Sequence, residues 1–189
     1  MLQFIKQYIK HPSKVGAVAP SSRYLAEQMM ETINFNRCQC IVEYGAGTGV
    51  FTKEIIKRKK EDTLFLVIEE NEVFYRELLQ QFGEYENVRI IHGKAEQVDQ
   101  YLKQYDQSKA DYIVSGIPFA SLPKVVSNQI LRKTETVLGG KGVFITFQYT
   151  MFKKKLFERY FTVRRYKKVY RNVPPANVLV MKNKEGILC

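Results

Sequence analysis

Tryptophan is absent from this 189-residue chain, histidine occurs twice and cysteine three times. The cysteines are Cys38, Cys40 and Cys189; an odd number, two of them one residue apart, builds neither a disulfide framework nor a zinc site. His11 and His92 stand alone, without cysteine or carboxylate at ligand spacing, so no metal is expected. A reducing, cytoplasmic setting fits this usage. No apolar run approaches the roughly 20 residues that a helix needs to cross a bilayer. The opening "MLQFIKQYIKHPSK" also lacks the unbroken apolar block and cleavage site of a secretory signal. Contact with a membrane is therefore expected from its surface, on the inner face. No Ser-His-Asp order or nucleophile elbow is present, which excludes the common hydrolase plans. Acids are too few to balance the bases: 19 Asp and Glu against 30 Lys and Arg leave a net charge of +11. Such an excess points to a polyanionic partner, nucleic acid or an anionic membrane surface.

What is present suits one domain over residues 1–189, with 45% hydrophobic and 26% charged residues, enough to bury a core. Strand-like runs alternate with helix-like stretches: "CIVEY" (40–44), a helix over 50–60, "TLFLVIE" (63–69), a helix over 71–82, "VRIIHG" (88–93), a short helix over 95–104 and "DYIVSG" (111–116). A helix over 123–138, the strand "VFITFQY" (143–149) and a basic helix over 151–161 continue the series. This alternation predicts βαβ units around a parallel sheet. Two further strands, 162–171 and 177–183, are joined by the tight "NVPPA" and predict an antiparallel hairpin. The expected fold is α/β, a mixed seven-stranded sheet with a C-terminal hairpin.

Residues 1–35 form an N-terminal helical extension in this reading, a membrane contact and substrate lid. On a helical wheel Met1, Leu2, Phe4, Ile5, Tyr8 and Ile9 share one arc, with Gln3, Lys6, Gln7 and Lys10 opposite. A helix so short must pack its apolar face on something, either its own domain or a membrane interface. Ser21 or Ser22 is placed to cap the helix through "RYLAEQMMETI".

In "IVEYGAGTGVFTKEI" a strand runs into Gly45, Ala46, Gly47 and Gly49 and then a helix. Glycines there let the backbone turn tightly and approach a ligand, with helix N–H groups facing it. The dinucleotide fingerprint fails at Val50 and the P-loop lacks its Lys-Ser/Thr. With Glu43, the loop resembles motif I of class I S-adenosylmethionine-dependent methyltransferases, E/D-x-G-x-G-x-G. The resemblance implies an acid at the end of the second strand to hold the ribose hydroxyls; Glu69 fits, with Glu70 as rival. It also implies an Asp after the third strand for the adenine amino group. Lys94 stands there instead, which leaves Ala95 and Glu96 as candidates.

The stretch "VSGIPFASLP" (114–123) falls where rRNA adenine dimethylases carry Asn-x-Pro-Tyr/Phe. Aligned on Pro118 and Phe119, the Asn position is Gly116, which has no side-chain acceptor for a planar amine. Ser115-Gly116-Ile117-Pro118-Phe119 instead resembles the bacterial phospholipid and ornithine-lipid N-methyltransferases. So do "HPSKVGAVAPSSRYLAEQM", "EYGAGTGVFT", "IEENEVF", "FQYT" and "RNVPPANV". That resemblance implies S-adenosylmethionine as cofactor and methylation of a lipid-headgroup amine, typically phosphatidylethanolamine, at an anionic membrane. An rRNA adenine methyltransferase and a non-catalytic membrane- or RNA-binding module remain as alternatives. In the lipid reading, Ser115 also faces the cofactor, carbonyls from Ser115 to Ile117 hold the amine, and Phe119, Tyr149 and Tyr24 face the cation that forms. Lys153, Lys154, Lys155, Arg159, Arg164, Arg165, Lys167 and Lys168 are candidates for one basic face toward the lipid.

Overall fold

The computed structural model describes residues 22–139, 141–151 and 154–184; the amphipathic stretch 1–10, Ser21, Lys153 and Cys189 lie outside them. Strands β1 (Cys40–Tyr44), β2 (Leu64–Glu69), β3 (Val88–His92), β4 (Tyr112–Ser115), β5 (Val143–Gln148), β6 (Phe161–Val169) and β7 (Ala176–Asn183) form one sheet in the order β3-β2-β1-β4-β5-β7-β6. The first five are mutually parallel; β7 runs antiparallel to both β5 and β6. The strands rich in Val, Ile, Leu and Phe sit centrally and are buried but for the half-buried Leu64, as a parallel sheet covered on both faces requires.

Side-chain alternation divides the core between those faces. Ile41, Phe65, Val67, Val114 and Ile145 point to the side covered by α1 (Arg23–Met30), α2 (Val50–Ile56) and α3 (Glu72–Phe82). Val42, Leu66, Ile68, Ile113 and Phe144 point to the side of α4 (Val98–Lys103), α5 (Lys124–Leu138) and α6 (Lys154–Tyr160). Ser22 caps α1, its hydroxyl accepting the Leu25 N–H at 3.2 Å.

The differences from expectation are at element ends. The helix expected over 50–60 gives way to tighter turns after Ile56, where Arg58 N–H donates to the Ile55 carbonyl at 3.0 Å. The helix expected over 95–104 is a single 3-10 turn, Ala95–Gln97, followed by α4. The last basic helix ends at Tyr160, because Phe161 already belongs to the edge strand.

Two features of the sheet position a site. The strand order reverses between β1 and β4, and a crevice opens at the carboxyl ends of strands at such a switch point. Tyr44 at the end of β1 is level with both Ile68 and Ser115, so the loops after β1, β2 and β4 start from one line.

Candidate active site

The loop after β1 bends through three left-handed glycines, Gly45 (φ +63°), Gly47 (φ +56°) and Gly49 (φ +78°), a conformation that other residues adopt only at a cost. Their surroundings differ. A Cβ on Gly49 would stand 2.7 Å from Phe82 Cε2, and one on Gly45 would stand 3.0 Å from Ile117 Cγ1. A Cβ on Gly47 would meet nothing within 4 Å. Gly49 is glycine for packing against α3, whereas Gly47 borders open space.

Two acids flank this loop. Glu69 is nearly buried, and its carboxylate accepts from Gly47 N–H and from Asn71 N–H, each at 2.8 Å. It ties the glycine loop to the turn after β2; with the Glu70 N–H also acting on it, the carboxylate's roughly four acceptor positions still leave room for a further donor. Burial raises its pKa, opposed by those backbone hydrogen bonds. Glu43 is fully buried; Thr52 Oγ1 donates to its Oε2 at 2.8 Å, and its Oε1 has no partner among the described residues. Burial pushes its carboxyl up to about 8, with the Glu69 charge adding to the rise. The rival Glu70 is exposed, its carboxylate 3.9 Å from Lys94 Nζ.

The loop after β4 packs directly on the glycine loop. A Cβ on Gly116 would lie 2.5 Å from the Gly45 carbonyl oxygen, so no side chain fits there. Ile117 is held at both backbone groups. Its N–H donates to Ser115 Oγ at 3.2 Å, and its carbonyl accepts from Gln148 Nε2 at 3.2 Å and from Phe119 N–H at 3.0 Å. The Ser115 carbonyl accepts from Thr146 Oγ1 at 3.3 Å. Of the three carbonyls expected to hold an amine, that of Gly116 alone accepts no hydrogen bond among the described residues. Gln148 extends the network, its own carbonyl accepting from Asn177 Nδ2 at 3.0 Å, while Tyr166 donates to Asn177 Oδ1 at 2.7 Å. Sequence reasoning missed Gln148, Asn177 and Thr52; a lone amide in an apolar strand, "VFITFQY", was the one visible signal.

The expected roles of Phe119 and Ser115, and the single basic face, are corrected. Phe119 does not wall the opening: it is fully buried, edge-on to Phe144 and Phe157 at centroid distances of 6.3 and 5.2 Å. Pro118 starts a 3-10 turn that carries the ring into the core. Ser115 is likewise fully buried and anchors the turn rather than lining a cleft. Tyr24 already carries the Arg171 guanidinium 5.0 Å above its ring. Tyr149 is half-buried and stands edge-on to Phe147 at 5.4 Å. The basic cluster does not share one face, because Arg165 and Lys167 turn toward α1 and pair with Glu31 at 2.9 and 3.4 Å.

After β3, Lys94 is exposed, Ala95 is buried and Glu96 is half-buried. Tyr101 closes this turn, its hydroxyl accepting from Lys94 N–H at 3.2 Å and donating to Gln97 Oε1 at 2.7 Å. Among the described residues no group of three or more His, Cys, Asp or Glu could hold a metal, and no helix is long and apolar enough to cross a membrane.

Known proteins resemble this chain in sequence and in fold. The sequence pattern of the family described as Ribosomal RNA adenine dimethylase matches residues 21–170. An ornithine lipid N-methyltransferase of Singulisphaera acidiphila is 31% identical over 175 residues, 92% of this chain and 91% of that one. A ribosomal RNA small subunit methyltransferase A of Mycoplasma mycoides is 29% identical over 64% of this chain, which spans 43% of that protein. In fold, a 1,6-didemethyltoxoflavin-N1-methyltransferase of Burkholderia thailandensis, solved with S-adenosylhomocysteine bound, superposes with a TM-score of 0.70 over 97% of this chain and 86% of that one, at 14% identity.

Proposed function

Because this chain belongs to the ribosomal RNA adenine dimethylase family and is an S-adenosylmethionine-dependent methyltransferase, we propose that its acceptor is the amine of a lipid headgroup, of the phosphatidylethanolamine type. In this reading it works on an anionic membrane surface from the cytoplasmic side. The observation that carries it is the contact of Gly116 with the Gly45 carbonyl: the position where an adenine-directed site needs an amide acceptor has no room for a side chain. The near end-to-end correspondence with a lipid N-methyltransferase supports the same reading.

The glycine loop fits the cofactor. Open space over Gly47, a buried carboxylate oxygen of Glu43 without a partner among the described residues, and the remaining acceptor capacity of Glu69 suit a cationic ligand bearing a ribose diol. Glu69 would hold the ribose and the glycine backbone the amino-acid end. Bound S-adenosylmethionine supplies an electrophilic methyl on a sulfonium. What remains for this chain is to bind, orient and exclude water, since an aligned in-line displacement needs little side-chain chemistry. An alkylammonium titrates near 10, and only the neutral amine attacks. The half-buried, apolar Ile117 favours that neutral form by withholding solvation from the charged one. The open Gly116 carbonyl is the acceptor for its N–H.

An adenine amino group in RNA is the second reading, favoured by the family pattern and by the Pro118-Phe119 pair. Incubation with labelled S-adenosylmethionine and, separately, total lipid extract and ribosomal RNA tests both. Label is expected in the amine lipids; label confined to RNA would overturn the proposal, and label in neither fraction would overturn it in favour of another acceptor.

A further inference from the structure

Of the eight large hydrophobic side chains exposed among the described residues, five sit at one edge of the sheet. Val73 lies in the first turn of α3, immediately after β2 ends at Glu69, and Val125 in the first turn of α5, after the loop that follows β4. Tyr170 and Val173 lie in the connection from β6 to β7, beside the end of β5, where Gln148 pairs with Asn177. Tyr24 is brought there because Ser22 N–H, at the start of α1, donates to Asn172 Oδ1 at 2.9 Å. All five therefore surround the carboxyl ends of the parallel strands, the edge that carries the glycine loop and the Ser115–Phe119 turn. The others, Leu79, Tyr85 and Tyr166, lie at the far end of α3, in the loop beyond it and on the edge strand.

Val173 is 78% exposed, Tyr170 72% and Val125 67%, large values for such side chains. Beside them stand cations: Lys168 Nζ lies 5.0 Å over the Tyr170 ring and Arg171 the same distance over Tyr24. The acids at this edge include Glu70, Glu72 and the half-buried Glu96, on the β2–β3 side, Glu70 and Glu72 near Lys94 and Arg76 respectively. The Tyr170–Arg171 side is thus apolar tips on a cationic base. An aqueous partner gains little from three isolated valines, whereas tyrosines, aliphatic tips and Lys or Arg together suit the boundary between anionic headgroups and acyl chains.

Resting on the lipid-headgroup reading, we propose that this edge is the bilayer-docking surface, with Val125, Tyr170 and Val173 entering the interface and Lys168 and Arg171 on the headgroups. The active-site crevice then opens onto the plane in which its substrate lies, so a headgroup reaches Gly116 without leaving the membrane.

The full chain would be floated with vesicles of phosphatidylcholine alone and of phosphatidylcholine with phosphatidylglycerol, beside the double variant Val125→Asp/Val173→Asp and the opposite-edge control Tyr85→Asp. Wild type and the control should float with the anionic vesicles, and the double variant should bind at least roughly tenfold more weakly. The double variant should still bind S-adenosylmethionine and methylate amine lipid dispersed in detergent, a readout that misfolding would abolish. Undiminished flotation of the double variant, or an equal loss in the control, would overturn the docking edge while leaving the lipid substrate standing. So would light scattering that shows a dimer in wild type and a monomer in the variant, since a second copy would then cover the edge. Transfer of label to ribosomal RNA instead of lipid would overturn the substrate reading itself.

Discussion

Gly116 approaches Gly45 so closely that a methyl group on its α-carbon would stand 2.5 Å from the Gly45 carbonyl oxygen. The obstacle is backbone, which cannot swing aside as a side-chain end can. Gly116→Ala should therefore separate the loops after β1 and β4, costing about 1–3 kcal/mol of stability, as overpacking does. Methyl transfer should fall further than stability, because both the cofactor loop and the acceptor turn move. Gly116→Asn, which restores the amide of adenine-directed enzymes, should not create RNA methylation. Thermal melts and labelled-methyl assays on both substrates check this; a stable, RNA-active Gly116→Asn would remove the steric account.

Gln148 acts on the acceptor turn at one remove, through the Ile117 carbonyl. Gln148→Ala would leave that carbonyl short of one donor and loosen a turn that must hold an amine in line, where small misplacements are costly. A fall in kcat of roughly tenfold to a hundredfold is expected, with S-adenosylmethionine affinity near wild type. Calorimetry alongside steady-state kinetics separates the two, and an equal loss in cofactor affinity would argue for a general structural role.

Much of this was legible in the residues. The alternation of strand-like and helix-like runs gave the order of elements, and Gly45, Gly47 and Gly49 fell at the end of a strand by pattern, whereas Glu69 was singled out by the family resemblance. Phe119 was misread because Pro118-Phe119 marks a turn without saying which way the ring points; a 3-10 turn sends it into a cluster with Phe144 and Phe157, residues distant in sequence. The basic run at 164–168 was read as one face, but a strand alternates, and the shift between Val163 and Arg165 puts Arg165 and Lys167 against Glu31. The apolar rim escaped notice for a similar reason: Val73, Val125 and Val173 become neighbours of one edge only once the sheet order is known.

Glu43 makes stability depend on pH with a definite sign. Its folded carboxyl is raised to about 8, well above the ordinary value of 4.5, so the native state keeps a proton that the unfolded chain releases. Below about 4.5 both states are protonated and the group contributes nothing. As pH rises from there to about 8 stability is lost, at no more than about 1.4 kcal/mol per pH unit, and above 8 the penalty is constant. Glu43→Gln should remove that slope, so chemical denaturation at pH 5 and pH 8 should show the variant gaining on wild type at the higher pH. An unchanged difference would mean that the Glu43 proton is already lost at pH 5.

Gly47 and Gly49 share a left-handed backbone and differ in what surrounds them, so alanine at each should fail in a different way. At either position the strained conformation costs about 1–2 kcal/mol. At Gly49 the added methyl also meets Phe82 Cε2 at 2.7 Å and Leu78 Cδ2 at 3.0 Å, so these buried side chains must repack and the total loss should reach about 2–4 kcal/mol. At Gly47 the methyl meets nothing, so the protein should fold with the backbone cost alone. There the methyl takes space that the cofactor needs, and affinity for S-adenosylmethionine should drop by at least roughly tenfold. Melting temperature and cofactor affinity, measured on both variants, should therefore rank them in opposite orders. If Gly47→Ala bound the cofactor like wild type, the open space over the loop would not be the cofactor site, and the roles of Glu43 and Glu69 would need reassignment.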